Sequence, residues 1–331
     1  MKRLLQVELT RLLCRRAVLV ILALAVVLPL VIGVATTLNS RPPSDDALAE
    51  AEAQAAADAA QPYVQRDLRR CLNKPENYLG RPLPDDIQAS CEDSILPRAE
   101  WYAYWNPLDL AAEREEGSGL AIVILLAILM MLAGTTFAGH DWASGSVSNQ
   151  LLFEPRRARV WGAKGLVVSV LAGAFTFVVV SLYWLALGLV ARSRDIPIGD
   201  GLLLDCLQSG WRGAGVAAAA ALAGYGLTMF FRSTVAALGV LLAVSVAGGI
   251  VLAVIGIDSV WNPGLNIGAI ILDGTTYWAE VPCGDDLGGG GMEICSVEKT
   301  LSLGRALAFL GPVLAVALAA SVATFQKRDV P

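Results

Sequence analysis

The chain has 331 residues, 55% of them hydrophobic and 17% charged, with a mean hydropathy of +0.58 and a formal net charge of −5. This balance argues against a water-soluble domain and against a basic nucleic-acid surface, and the single histidine, His140, excludes a two-histidine metal centre. The apolar residues are bunched into charge-poor runs near twenty residues, each long enough to cross about 30 Å of hydrocarbon as a helix. The sequence therefore predicts an all-α integral membrane protein with six transmembrane helices.

In chain order, residues 1–16 carry Lys2, Arg3, Arg11, Arg15 and Arg16 around Leu5, Leu9, Leu12 and Leu13. Leucines on one face and charge on the other predict an amphipathic helix at the membrane surface. The first apolar run, 17–35, is long for a signal peptide and is followed by no convincing small-x-small cleavage site. It is read as a first transmembrane helix over 17–37. Residues 38–117 begin with an acidic, alanine-rich stretch of high helix propensity and end near the aromatic cluster WYAYWNP. They predict a small helical lobe, with Trp101–Trp105 available as an interfacial belt.

A second charge-free helix is expected over 118–139. It leads into the connection GHDWASGSVSNQLLFEPRRARVWGAKG, residues 139–165. Here Asp141 can cap a short helix, in which SVSNQLLF places Val147 and Leu151 one turn apart. Pro155 ends that helix, since proline cannot continue the backbone ladder. Arg156, Arg157, Arg159 and Lys164 then stand before the third helix at 166–191. The segment 192–213 reads as a loop, and 214–231 and 234–256 as two Ala/Gly-rich helices suited to close packing. Residues 257–300 contain an apolar patch at 262–272 that is too short to span, flanked by Trp261, Tyr277 and Trp278. It predicts a re-entrant or interfacial helix. In CGDDLGGGGMEIC the spacing of Asp285, Asp286 and Glu293 does not suit a calcium loop, and the stretch reads as a glycine-rich turn. The sixth helix is expected over 301–325, with a tail at 326–331.

Charge asymmetry orients these spans. Residues 1–16, 140–165, 232–233 and 326–331 hold twelve Lys/Arg and four Asp/Glu, which places them, and both termini, in the cytoplasm of a multi-pass cell-membrane protein. Outside, Cys71/Cys91 and Cys283/Cys295 form two close pairs able to make disulfides, leaving Cys206 odd and Cys14 inside. Six unpaired cysteines remain the alternative. No catalytic constellation, metal-ligand spacing or phosphate-binding glycine loop is present, and no span carries the carboxylates of an ion-coupled carrier.

The order acidic Asp141, turn Gly145–Ser146, Leu151–Leu152, Pro155, Arg156–Arg157–Arg159 and Lys164 resembles the connection between the second and third spans of ABC-2-type ABC transporter permease subunits. The N-terminal helix with its internal Glu8 is similar to the elbow helix of that family, and the six-span layout matches it over nearly the whole chain. Asp141 departs from the commoner glutamate. The resemblance implies that Asp141, Gly145, Ser146, Leu151, Leu152, Glu154 and Pro155 contact a separate ABC ATPase subunit. It implies that Arg156, Arg157, Arg159 and Lys164 anchor the segment to membrane lipid or to that partner. ATP and Mg would sit on the ATPase, with no cofactor in this chain, and a second permease copy or relative would complete the pathway. A hydrophobic or amphiphilic cargo suits charge-free spans. A non-transporting sensor or relay with an outer binding lobe is the alternative.

Overall fold

The computed structural model describes residues 2–80, 83–84, 86–103, 107–255, 259–282 and 294–328. It is largely helical, and two compact units divide it, one over 35–108 and one formed by 1–34 with 109–331. The larger unit opens with α1 (Lys2–Leu13), which breaks at Cys14–Arg15 into α2 (Arg16–Asn39).

The smaller unit contains α3 (Asp45–Ala59), α4 (Pro62–Asn73), α5 (Glu76–Leu79), α6 (Ile87–Ile95) and α7 (Ala99–Ala103). Ser44 and Asp86 cap α3 and α6 by accepting from the backbone N–H groups of Ala47 and Ala89, and Pro62 starts α4 at a position that needs no N–H. Cys71 of α4 and Cys91 of α6, both fully buried, form a disulfide, as their spacing suggested. The 20-residue separation removes roughly 3 kcal/mol of unfolded-chain entropy. The Tyr102 hydroxyl donates to Asp58 at 2.6 Å and ties α7 to α3, while Trp101 is 54% exposed. Tyr104 and Trp105 lie outside the described residues.

The larger unit continues with α8 (Leu110–Glu115), α9 (Ser118–Ala143), α10 (Ser146–Phe153), α11 (Arg157–Ser193), α12 (Leu202–Phe231), α13 (Thr234–Ile255), α14 (Pro263–Leu272) and α15 (Leu303–Lys327). Among the described residues, five helices are long and apolar enough to cross a membrane: α2, the α8–α9 stretch, α11, α12 and α15. The protein is thus a multi-pass, membrane-embedded helical protein. The described apolar part of α13, 234–248, is shorter.

Helix α12 is the centre of the bundle, packed against α9, α11, α14 and α15. Its buried face is Gly210, Gly213, Ala214, Ala217, Ala221 and Gly224, so helix backbones approach closely. A Cβ on Gly134 of α9 would collide with the Ala221 carbonyl, and one on Gly224 would meet the Met131 carbonyl. Helices α2 and α15 by contrast expose most of their apolar surface, with Leu30 at 64% and Val316 at 70%. In a membrane such side chains face lipid.

The helices overrun their charge-free cores. α11 begins at Arg157 rather than 166, and α12 at Leu202 rather than 214. Polar ends continue a helix as readily as apolar ones wherever a partner satisfies them. Arg212, expected in a loop, sits inside α12 and donates to the Ile271 carbonyl and Asp273 at the C-terminus of α14. That fixes α14 on α12, with Asn262 capping its start through the Gly264 N–H.

One short element adds to the helical layout expected. After α14 the chain forms an antiparallel hairpin, β1 (Thr275–Pro282) with β2 (Ile294–Leu301), in the register Thr275↔Leu301. The chain is therefore not wholly α-helical. TTYWAEV is rich in β-branched and aromatic residues, a strand signal passed over by reading Tyr277 and Trp278 as the flank of a re-entrant or interfacial helix. Cys295 is disulfide-bonded, whereas Cys283, Asp285, Asp286 and Glu293 lie outside the described residues. Cys14 and Cys206 are free thiols.

Candidate functional site: a projecting helix on a buried polar base

Helix α10 is set between two long helices. Gly145 makes the turn into it with φ +66, a left-handed conformation suited to glycine, and Glu154 closes it with a backbone N–H to Gln150. Pro155, exposed, then separates α10 from α11. Val147 is the apolar foot of the helix, 1% exposed, and Leu151 is half-buried. Leu152 and Phe153 project at 80% and 90% exposure. Two large apolar side chains this open, side by side at a helix end, take no part in the core of this chain.

Beneath them lies a buried polar cluster drawn from α1, the α1–α2 break, α9, α10 and α11. Lys164 Nζ donates to Glu8 Oε2 at 2.8 Å and to Asp141 Oδ2 at 2.5 Å. All three side chains are at most 1% exposed. Asp141 Oδ1 also accepts from Arg15 at 2.5 Å, Arg11 at 3.4 Å and Ser146 Oγ at 2.7 Å. Glu8 Oε1 accepts from Gln150 at 2.5 Å and Arg11 at 3.3 Å. Arg15 donates to the Phe137 carbonyl, and its guanidinium lies 4.5 Å over the Phe137 ring. Charged groups are tolerated here because each faces an opposite charge and further hydrogen bonds. Ser146 and Gln150 thus fasten α10 to α1 and α9, and Lys164 joins α11 to the same two carboxylates.

The positions expected from the sequence are therefore brought together in part. Asp141, Ser146 and Lys164 meet at the buried base, while Leu152 projects from it. Lys164 is withdrawn from the surface, so headgroup anchoring does not describe it. Its charge is spent inside the chain. Asp141 does not cap α10 through the backbone; it holds Ser146 by the side chain, and Gly145 occupies the cap position. Arg157 donates to the carbonyls of Phe325, Gln326 and Arg328, at 3.3, 3.3 and 2.6 Å, at the negative end of the α15 dipole. Arg156 and Arg159 are exposed.

Helix α1 departs in part from the expected polarity. Its most buried residue is Glu8, with Leu12, whereas Leu9 and Leu13 are 40% and 38% exposed. The polar cluster draws Glu8 inward, and in a membrane Leu9 and Leu13 meet lipid. Glu8, Arg11, Arg15 and Gln150 were not singled out as site residues, since their partners lie far along the chain. The one local signal is an acidic residue standing alone among the cations of 1–16. Among the described residues no cluster of His, Cys, Asp and Glu could hold a metal ion. Comparison with protein-family models, with characterised proteins and with solved structures produced no match.

Proposed function

We propose that this chain is the membrane-spanning permease subunit of an ATP-driven exporter of the ABC-2 type, coupled through α10 to a separate ATPase subunit. The observation that carries the reading is the pair Leu152 and Phe153, projecting from a helix whose base is pinned by Glu8, Asp141 and Lys164. A handle needs both an exposed grip and a rigid attachment, and this one joins three other helices. On this reading α13 is the sixth span, α1 is the elbow helix, and both termini and α10 face the cytoplasm of the cell membrane. Asp141 and Ser146 act at the root of the handle; Gly145, Leu151, Glu154 and Pro155 shape or flank its contact face. Arg156 and Arg159 meet lipid headgroups or the partner.

ATP and Mg belong to that partner, and this chain catalyses nothing itself. Closure of the ATPases displaces α10, and the buried base passes the displacement to α1, α9 and α11, shifting the spans between inward- and outward-facing packings. Two permease copies, or this one with a relative, enclose the pathway. The charge-free spans suit a lipid, peptide or drug-like cargo.

The test is affinity purification of the full chain from its native membrane, with the Leu152→Ala/Phe153→Ala variant beside it. A nucleotide-hydrolysing subunit should accompany the wild type and be lost from the variant, while insertion and thermal stability stay unchanged. Full burial of these side chains contributes roughly 3–6 kcal/mol, so retention should fall at least tenfold. Recovery of the same partner with both proteins, or of no ATPase with either, overturns the reading.

A further inference from the structure

Two hydrogen-bond donors near the α10 end of the helices are shut away from solvent with no acceptor: Trp142 Nε1 and Arg232 Nη2. They belong to one stacked pair, the Arg232 guanidinium lying 4.9 Å over the Trp142 ring, with Phe325 edge-on to that ring at 6.2 Å. Of the other cations at this end, Arg328 lies 5.9 Å over the Phe230 ring and four are occupied. Lys164, Arg11 and Arg15 hold Glu8 and Asp141, and Arg157 holds the last carbonyls of α15. Among the described residues, the Arg232 side chain has no hydrogen bond or ion pair at all. A guanidinium offers five N–H donors and no acceptor, so only an anionic or carbonyl oxygen completes it. Its backbone adds to the oddity: Arg232 caps α12 with φ +58, a conformation that glycine or asparagine takes more easily.

We propose that Arg232 and Trp142 form a binding site for the phosphate of an anionic phospholipid headgroup. Arg232 as a whole is only partly covered, so a phosphate oxygen can approach the guanidinium, and a small turn of the side chain that uncovers Nη2 lets it pair in the bidentate manner that Arg favours. The same movement of Arg232 off the indole uncovers Trp142 Nε1 as a neighbouring neutral donor. The turn between α12 and α13 sets the apolar half of the site, because Phe231 and Val235 on either side are 37% and 81% exposed. Headgroup and acyl chains thus find matching surfaces at one helix turn. The proposal stands apart from the exporter reading and needs only that these helices lie in a membrane.

The test uses the full chain, purified and delipidated in neutral detergent. Thermal unfolding and native mass spectrometry are monitored while dioleoylphosphatidylglycerol, dioleoylphosphatidylcholine or inorganic phosphate is added. Phosphatidylglycerol should raise the wild-type midpoint and remain bound, whereas phosphatidylcholine and free phosphate should do neither. Arg232→Gly suits the backbone, so it should fold as the wild type does and bind phosphatidylglycerol at least about tenfold more weakly. Trp142→Phe keeps the ring, loses the donor, and should give a smaller loss. Equal binding of phosphatidylglycerol by wild type and Arg232→Gly overturns the site. So does a free-phosphate effect as large as the lipid's. Loss of a protein partner from Arg232→Gly with lipid binding intact would assign the donors to a partner's carboxylate instead.

Discussion

Replacing Asp141 with Asn keeps the shape of the side chain and removes one of the two carboxylates in the buried cluster. Three cations, Arg11, Arg15 and Lys164, then face Glu8 alone, and Lys164, 1% exposed, cannot reach water for relief. Breaking one side of a buried pair typically costs about 3–5 kcal/mol, because the remaining charge keeps its desolvation penalty and loses its partner. Asp141→Asn should accordingly lower the thermal midpoint of the detergent-solubilised chain by several degrees. Lys164→Met should cost less, since Glu8 and Asp141 keep Arg11 and Arg15. The decisive variant is the double, Asp141→Asn with Lys164→Met, which restores the wild-type charge balance and should regain about 1–3 kcal/mol over the sum of the single losses. Unfolding monitored by scanning fluorimetry, with circular dichroism checking helix content, measures all three. Additive losses, or an Asp141→Asn protein as stable as wild type, would refute the claim that these charges share one dry cluster.

Other parts of the molecule carry two more expected outcomes. Gly134→Ala should destabilise by about 1–3 kcal/mol because its Cβ meets the Ala221 carbonyl, whereas Gly215→Ala, opening on free space, should be neutral or stabilise by up to about 1 kcal/mol; thermal midpoints of the two variants separate a steric cause from a general loss of glycine. The Tyr102 phenol, hydrogen-bonded to the Asp58 carboxylate, is pushed up to about 12 from 10.0. Because the folded value lies above the unfolded one, the contribution of this bond is complete below pH 10 and fades as pH rises toward 12. Difference absorbance titration against Tyr102→Phe reads the shift, and Asp58→Asn should bring ionisation back toward the ordinary value.

The spans were legible because lipid imposes a crude rule, twenty residues without charge, and five of the runs that obey it are membrane-length helices. Cys71–Cys91 and the helix at 263–272 were legible for similarly local reasons. The buried base was not. Glu8 and Lys164 are separated by 156 positions, and each looks ordinary in its own neighbourhood: an acid in an amphipathic helix, a lysine entering a span. Periodicity assigns a helix face by the average of its residues, so it grouped Glu8 with the charges and Leu9 with Leu12. A single strong tertiary partner buries Glu8 beside Leu12 and leaves Leu9 exposed. The hairpin was missed for another reason, since Tyr277 and Trp278 suit a membrane interface and a strand equally well.

The glycine contacts between α9 and α12 also divide the labour of any movement. Where a carbonyl abuts a Cα, as at Gly134–Ala221 and Gly224–Met131, there are no rotamers to rearrange and one mutual placement serves both helices. These two form a chassis. Helices α2 and α15, with few buried side chains, shift at small cost in lost packing. Any displacement that reaches α9 therefore carries α12 with it as one rigid body.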